Sequence, residues 1–156
     1  MTTTTPATAT EMTDKNLEAA CTAVTGEISR TDTKASLLLA FNGAILAGLA
    51  SVADRGLPTA TKAAGTLAVL TLGAAAVLLL LVVRPRLGGG DRASFPHWAR
   101  LDESEILAGM HDDRRPARIR VLSTIAVRKF THLRRAVDLT LTALLLLALA
   151  SVGLVS

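Results

Sequence analysis

The sequence contains no tyrosine, one tryptophan, three phenylalanines and one cysteine in 156 residues, and only 19% of it is charged. Each shortage excludes something. With so few aromatic residues, no Trp/Tyr belt is there to mark a membrane interface. A single cysteine, Cys21, allows neither an intrachain disulfide nor a Cys-x-x-Cys metal site. Cys21 follows Leu17-Glu18-Ala19-Ala20, the outline of a lipoprotein cleavage site. No apolar run precedes it, however, and Glu18 stands where an aliphatic residue belongs, so Cys21 reads as a small apolar helix residue. There is no Ser/His/Asp order, no phosphate loop and no metal-spaced His pair; His111 and His132 stand alone. The expectation is therefore no catalytic residue, no metal and no enzyme.

What is abundant is apolar. Half of the chain is hydrophobic, gathered in three stretches where charge is missing, which is the pattern of a membrane protein. The first stretch, 35–53, runs nineteen residues without a charge. As a helix it would cover about 28 Å, close to the hydrocarbon thickness of a bilayer. The second covers 63–83 and is stopped by Arg84-Pro85-Arg86, after which Gly88-Gly89-Gly90 forms a flexible link. The third covers 137–156, its uncharged run beginning at Leu139, after Asp138. A buried helix of a soluble bundle would show polar residues on one side at every turn, and these stretches do not.

Residues 1–12 form a Thr/Ala/Pro-rich tail without periodicity, read as disordered, and Met12 is a second candidate start. From Thr13, the residues Leu17, Cys21, Val24, Ile28, Thr31, Ala35, Leu38 and Asn42 recur by threes and fours. That spacing predicts one helix, 13–34, passing unbroken into the first span. Asp54-Arg55-Gly56-Leu57-Pro58 predicts a turn within a hairpin, 54–62. Over 84–136, Asp102-Glu103-Ser104-Glu105 predicts a capped helix over 103–108 ending at Gly109. Pro116 fits the first turn of a second helix. There Ile119, Leu122, Ala126, Phe130, Leu133 and Val137 keep helical spacing into the third span. The expected fold is all-α: three membrane spans, with long cytoplasmic extensions of the first and third helices.

Loop charges set the orientation. Segment 84–136 holds twelve basic residues against six acidic ones, and the hairpin holds only Arg55 and Lys62. The positive-inside rule then places the N-terminus and 84–136 in the cytoplasm, with the hairpin and C-terminus outside a bacterial inner membrane.

Three groups of residues stand out. Arg30, Asp32 and Lys34 sit at the inner boundary of the first span, either as a charged anchor or as part of a coupling site. Asn42 lies among apolar residues and needs a hydrogen-bonding partner on another helix. With it, Ala40, Ala44 and Gly48 form a small-residue ridge that suits packing within the protomer or self-association. Phe95-Pro96-His97-Trp98-Ala99-Arg100 brings aromatic, imidazole and guanidinium groups together. Such groups can hold a nucleobase and a phosphate, or dock a loop on lipid. The Arg-rich run 114–135 adjoins a span, where basic residues serve topology and anionic lipid, so direct nucleic-acid binding is not expected.

These residues together resemble the Pycsar effector transmembrane family. The resemblance is carried by Arg30-x-Asp32-x-Lys34-Ala35 ahead of Asn42-Gly43 and by Arg84-Pro85-Arg86-Leu87. It continues through Phe95-Pro96-His97-Trp98-Ala99, Val127-Arg128-Lys129-Phe130 and Leu133-Arg134-Arg135-Ala136. The family's loop often reads Tyr-Phe-Gly-His-Ile-Ala, so Phe95, His97 and Ala99 match while Pro96 and Trp98 depart. The resemblance implies an anti-phage effector in the inner membrane, activated by cyclic CMP or cyclic UMP from a neighbouring pyrimidine cyclase. It further implies membrane impairment by a homo-oligomer and abortive infection. Arg84, Arg86, Phe95, His97, Trp98 and Arg100 are the candidate nucleotide contacts, and no other cofactor is expected. Similar actinobacterial proteins are labelled integral membrane plasmid transfer proteins, so a component of conjugative plasmid transfer is the alternative.

Overall fold

The structure, a computed structural model, describes residues 6–53, 56, 58–85, 94–109 and 112–155. They form five helices: α1 (Pro6–Val52), α2 (Thr59–Val83), α3 (Phe95–Trp98), α4 (Glu103–Gly109) and α5 (Arg115–Val155). There is no strand among the described residues. Three of the helices, α1, α2 and α5, are long and apolar enough to cross a membrane, and the first and third are the longest. The all-α, three-span class expected from the sequence holds.

Helix limits follow local chemistry. α1 starts at Pro6, ahead of the expected start at Thr13. Proline is preorganised for a first helical turn, and Lys15 pairs with Glu11 four residues earlier at 2.7 Å. α2 starts at Thr59, inside the segment expected as a hairpin, directly after Pro58 (φ −54°, ψ 147°). It ends where Arg84, the residue before Pro85, turns to an extended ψ of 122° while its N–H still donates to the Leu80 carbonyl at 2.9 Å. The expected turn residues Asp54, Arg55 and Leu57, and Gly88-Gly89-Gly90, lie outside the described residues. Hydroxyls within the long helices return to their own backbone. Thr66 donates to the Lys62 carbonyl, Thr71 to Leu67, Thr142 to Asp138 and Ser151 to Ala148, at 2.7–2.9 Å. A hydroxyl satisfied in this way can face hydrocarbon without an orphaned donor.

The chain forms two compact units, Met1–Ser29 with Pro85–Val127, and Arg30–Arg84 with Arg128–Ser156. In the second unit, Ala35, Leu79, Val82, Leu133 and Ala136 make one buried cluster. Ala68, Leu72 and Ala143, flanked by Ile45, Leu49 and Leu146, make another. The order of these contacts runs α1 and α5 in parallel, with α2 antiparallel to both. Alanine at so many contact positions lets helix backbones approach closely, the usual basis of association where hydrocarbon surrounds the helices. Large apolar side chains such as Leu37, Leu70, Leu80, Leu145 and Val152 point outward, as lipid-facing positions require.

In the first unit, Arg115 ties the start of α5 to α1. Its guanidinium donates to Asp14 Oδ1 at 2.6 Å, and to the two oxygens of Asp113 at 2.8 and 3.0 Å. These bonds hold the Asp113 carboxyl below its ordinary range and raise that of Arg115. α4 carries a reciprocal cap: the Glu105 N–H donates to Asp102 Oδ1 at 2.8 Å, and the Asp102 N–H donates to Glu105 Oε2 at 3.0 Å.

Candidate functional site

The boundary residues Arg30, Asp32 and Lys34 belong to α1 in the second unit. Asp32 turns toward α5, where Lys129 Nζ approaches its two oxygens at 2.5 and 2.7 Å, partly screened from solvent. Arg30 and Lys34 are exposed. Two turns before Lys34, Ile28 keeps the apolar stripe half-buried. Lys129 is a residue that the spacing argument missed, because nothing in a run of basic residues distinguishes the one that faces inward.

Farther along the same helices, Asn42 is 1% exposed and donates from Nδ2 to Thr140 Oγ1 at 3.1 Å. Thr140, itself buried, also donates to the Ala136 carbonyl at 2.9 Å. Ala40, Ala44 and Gly48 do not share this contact; they lie on the exposed surface of α1, and around Gly48 there is open space. The structure therefore separates the amide from the small-residue ridge: one serves α1–α5 packing, and the other is a free face.

In the first unit, α3, α4 and the start of α5 surround an open hollow of about 430 Å³ lined by His97, Leu101, Glu105, Ala108, Gly109 and Arg114. Its volume lies within the range of about 300–1,000 Å³ usual for small-ligand sites. Arg114 lies across Gly109, where an added Cβ would stand 3.7 Å from the guanidinium nitrogens, and it faces Asp112 at 3.6 Å. The backbone of α3 presents His97: its N–H donates to the Ser94 carbonyl at 3.0 Å, and its carbonyl accepts from the Arg100 N–H at 3.0 Å. The hollow thus combines Arg114, His97 and Glu105 with the apolar Leu101 and Ala108. Those groups are suited to a small amphiphilic anion.

Of the expected nucleotide contacts whose side chains are among the described residues, only His97 lines this hollow. Trp98 is half-buried, and Arg100 is exposed. Phe95 opens α3, with its side chain outside the described residues, as is Arg86. Arg84 ends α2 in the other unit. Arg114 and Glu105 were missed. The capping pattern explained Glu105 without a ligand, and Arg114 was hidden among the many arginines of its segment. Among the described residues, no cluster of His, Cys, Asp and Glu suits a metal ion.

Three membrane-length helices, two of them prolonged into a unit with shorter helices and a charged surface hollow, define a small multi-span membrane protein. Within that class the chain belongs to the Pycsar effector family, since the Pycsar effector protein domain matches residues 16–156. Membership supports a role as an anti-phage defence effector, and the domain is not that of a known enzyme family. No curated protein and no solved structure matches significantly.

Proposed function

We propose that the protein is an inner-membrane effector of anti-phage defence, switched on by a cyclic pyrimidine nucleotide and acting by impairing the membrane. The observation that carries this is the family match over nearly the whole chain. In this reading the spans run over 35–53, 63–83 and 137–156. The N-terminus and 84–136 lie in the cytoplasm, as the excess of basic residues there favours. The nucleotide, cyclic CMP or cyclic UMP from a neighbouring cyclase, enters the hollow with its phosphodiester on Arg114 and its apolar surface against Leu101.

Three spans enclose no wide pore, so impairment of the bilayer requires several copies. The exposed small-residue face of α1 offers a place for backbones to approach. α1 and α5 extend beyond their apolar segments, and a ligand that binds one arrangement of the polar unit more tightly shifts the population of the whole protein toward it.

The test is calorimetry of the full chain in nanodiscs with cyclic CMP, cyclic UMP and cyclic AMP, paired with dye entry into cells expressing the protein with and without a pyrimidine cyclase. The expected result is binding of a pyrimidine nucleotide and cyclase-dependent dye entry. No binding, together with dye entry indifferent to the cyclase, overturns the proposal and returns plasmid transfer to first place.

A further inference from the structure

We infer that a cleft between the end of α1 and the start of α2 holds an anionic phospholipid, its phosphate at the first turn of α2 and an acyl chain along the apolar wall. The cleft lies wholly within the second unit and measures about 340 Å³. Leu49 and Val52 line it from α1, and Thr61, Lys62, Val69 and Leu70 from α2. It sits at the far end of the spans from the Asp32–Lys129 pair, beside the connection that contains Asp54 and Arg55. A site at that level meets headgroups at one end and hydrocarbon at the other. In the topology proposed above it belongs to the outer leaflet.

Three features of the polar end call for an anion. α2 begins without a side-chain cap, because Pro58 stands at the N-cap position, and its first turn contains no acidic residue. The start of this 25-residue helix therefore presents its positive end to an outside acceptor. Lys62, in the same turn, is exposed and makes no ion pair among the described residues. The third feature is the Thr61 hydroxyl. Thr61 is 8% exposed, and its hydroxyl donates to nothing among the described residues, whereas Thr66 and Thr71 return theirs to the helix backbone. No fully enclosed side-chain oxygen among the described residues lacks a partner, so this hydroxyl opens into the cleft that Thr61 lines. Amide, ammonium and hydroxyl donors thus share one helical turn, and no carboxylate among the described residues lines the cleft to compete for them.

The rest of the cleft calls for a chain. Leu49 and Val52 are half-buried, while Val69 and Leu70 are exposed, so the wall runs on into the lipid-facing surface of the span. Gly65 is part of the lining, and a Cβ there would meet nothing within 4 Å, so the missing side chain leaves room beside the wall. A free inorganic anion would leave the apolar wall bare, and a neutral chain would leave the donors unanswered. A phosphate and an acyl chain in one molecule satisfy both. A zwitterionic headgroup adds a cation, which Lys62 and the helix N-terminus disfavour, so the preference is for a lipid of net negative charge.

Native mass spectrometry of the full chain, released from nanodiscs of equal phosphatidylglycerol and phosphatidylcholine, reads which lipid stays bound. The native protein should retain phosphatidylglycerol at least about tenfold over phosphatidylcholine. Lys62→Gln removes the charge at the rim. Gly65→Leu fills the cleft without changing charge and suits a helix better than glycine does. Each should bring the preference below about twofold. Thr61→Val, nearly isosteric, should lower it about threefold and reports on the cleft even where the glycine variant fails to fold. Equal retention of the two lipids by the native protein overturns the inference. A preference that survives in folded Gly65→Leu, or is unchanged in Thr61→Val, also overturns it, because surface charge and not the cleft would then hold the lipid.

Discussion

Asp32 and Lys129 lie 97 positions apart in the chain and meet with the lysine Nζ 2.5 and 2.7 Å from the two carboxylate oxygens. Ten residues along α1, Asn42 meets Thr140 at a separation of 98 positions. The near-equal separations mean that α1 and α5 keep one parallel register from the charged boundary into the apolar core. The two contacts differ in kind: the first is an ion pair at the edge of the apolar segment, the second a neutral pair within it.

The ion pair is partly screened, with 15% of the lysine side chain and 36% of the aspartate exposed. Its strength should fall between that of exposed pairs, below about 1 kcal/mol, and that of buried pairs, where losing one partner costs about 3–5 kcal/mol. Lys129→Met or Asp32→Asn is expected to destabilise the α1–α5 packing by about 1–3 kcal/mol, and the exchanged pair Asp32→Lys with Lys129→Asp to recover part of that. Unfolding in mixed micelles measures each. Additive losses with no recovery in the exchanged pair would show that the two side chains are not coupled.

The amide pair should behave differently. Asn42→Leu keeps the bulk and removes the hydrogen bond, and Thr140→Val removes the hydroxyl at nearly constant shape. Each is expected to cost about 0.5–2 kcal/mol, the range for polar contacts between membrane helices. The double variant should lose less than the sum, since the second substitution removes a partner already deprived of its bond. Neither effect should depend on salt, in contrast to the boundary pair.

Much of this was legible in the sequence. Three uncharged stretches announce three spans, and Asp102 with Glu105 announces a capped helix. An amide such as Asn42 among apolar residues announces that a partner exists. What could not be read is which residue answers. Thr140 is one of many hydroxyl residues in or near the spans, and Lys129 is one of many basic residues in its segment. Periodicity within one helix says which side is apolar; it does not rotate a second helix into place. For the same reason Arg100, three residues after His97, was the natural choice for a phosphate contact, while Arg114 required a folded α4 to bring it there.

The cap of α4 carries a pH dependence. In the folded chain the Asp102 carboxyl is held below its usual 3.8, first by the Glu105 N–H and then by the Ser104 hydroxyl. A lowered folded-state value stabilises the fold while the group is ionised. The contribution is therefore complete above about pH 5, well clear of the unfolded value, and is lost as pH falls toward the lowered folded value. Asparagine also accepts from backbone N–H groups at an N-cap but does not titrate. Amide exchange over 103–109 should therefore show native protection falling relative to Asp102→Asn between about pH 5 and 3, with a steady ratio at higher pH. A ratio constant through the acid range would mean that the carboxylate does not hold the cap.

Arg114 and Arg100 make opposite predictions about where an anion binds. Arg100 stands nearest the aromatic cluster in sequence, but it is exposed, and its backbone N–H donates to the His97 carbonyl. Arg114 lines the hollow with His97 and Glu105, and its guanidinium is partly covered where it lies across Gly109. A hydrogen bond between a guanidinium and a phosphate oxygen contributes about 1.5–3 kcal/mol, more where water is partly excluded. Arg114→Gln should therefore raise the dissociation constant for the cyclic nucleotide about ten- to a hundredfold, whereas Arg100→Gln should change it less than about threefold. Asp112, which faces Arg114 at 3.6 Å, competes with the ligand for the same guanidinium. Asp112→Asn should accordingly tighten binding modestly, a gain that general damage to the fold would not produce. If Arg100→Gln abolishes binding while Arg114→Gln leaves it intact, the ligand lies against the exposed end of α3 and not in the hollow.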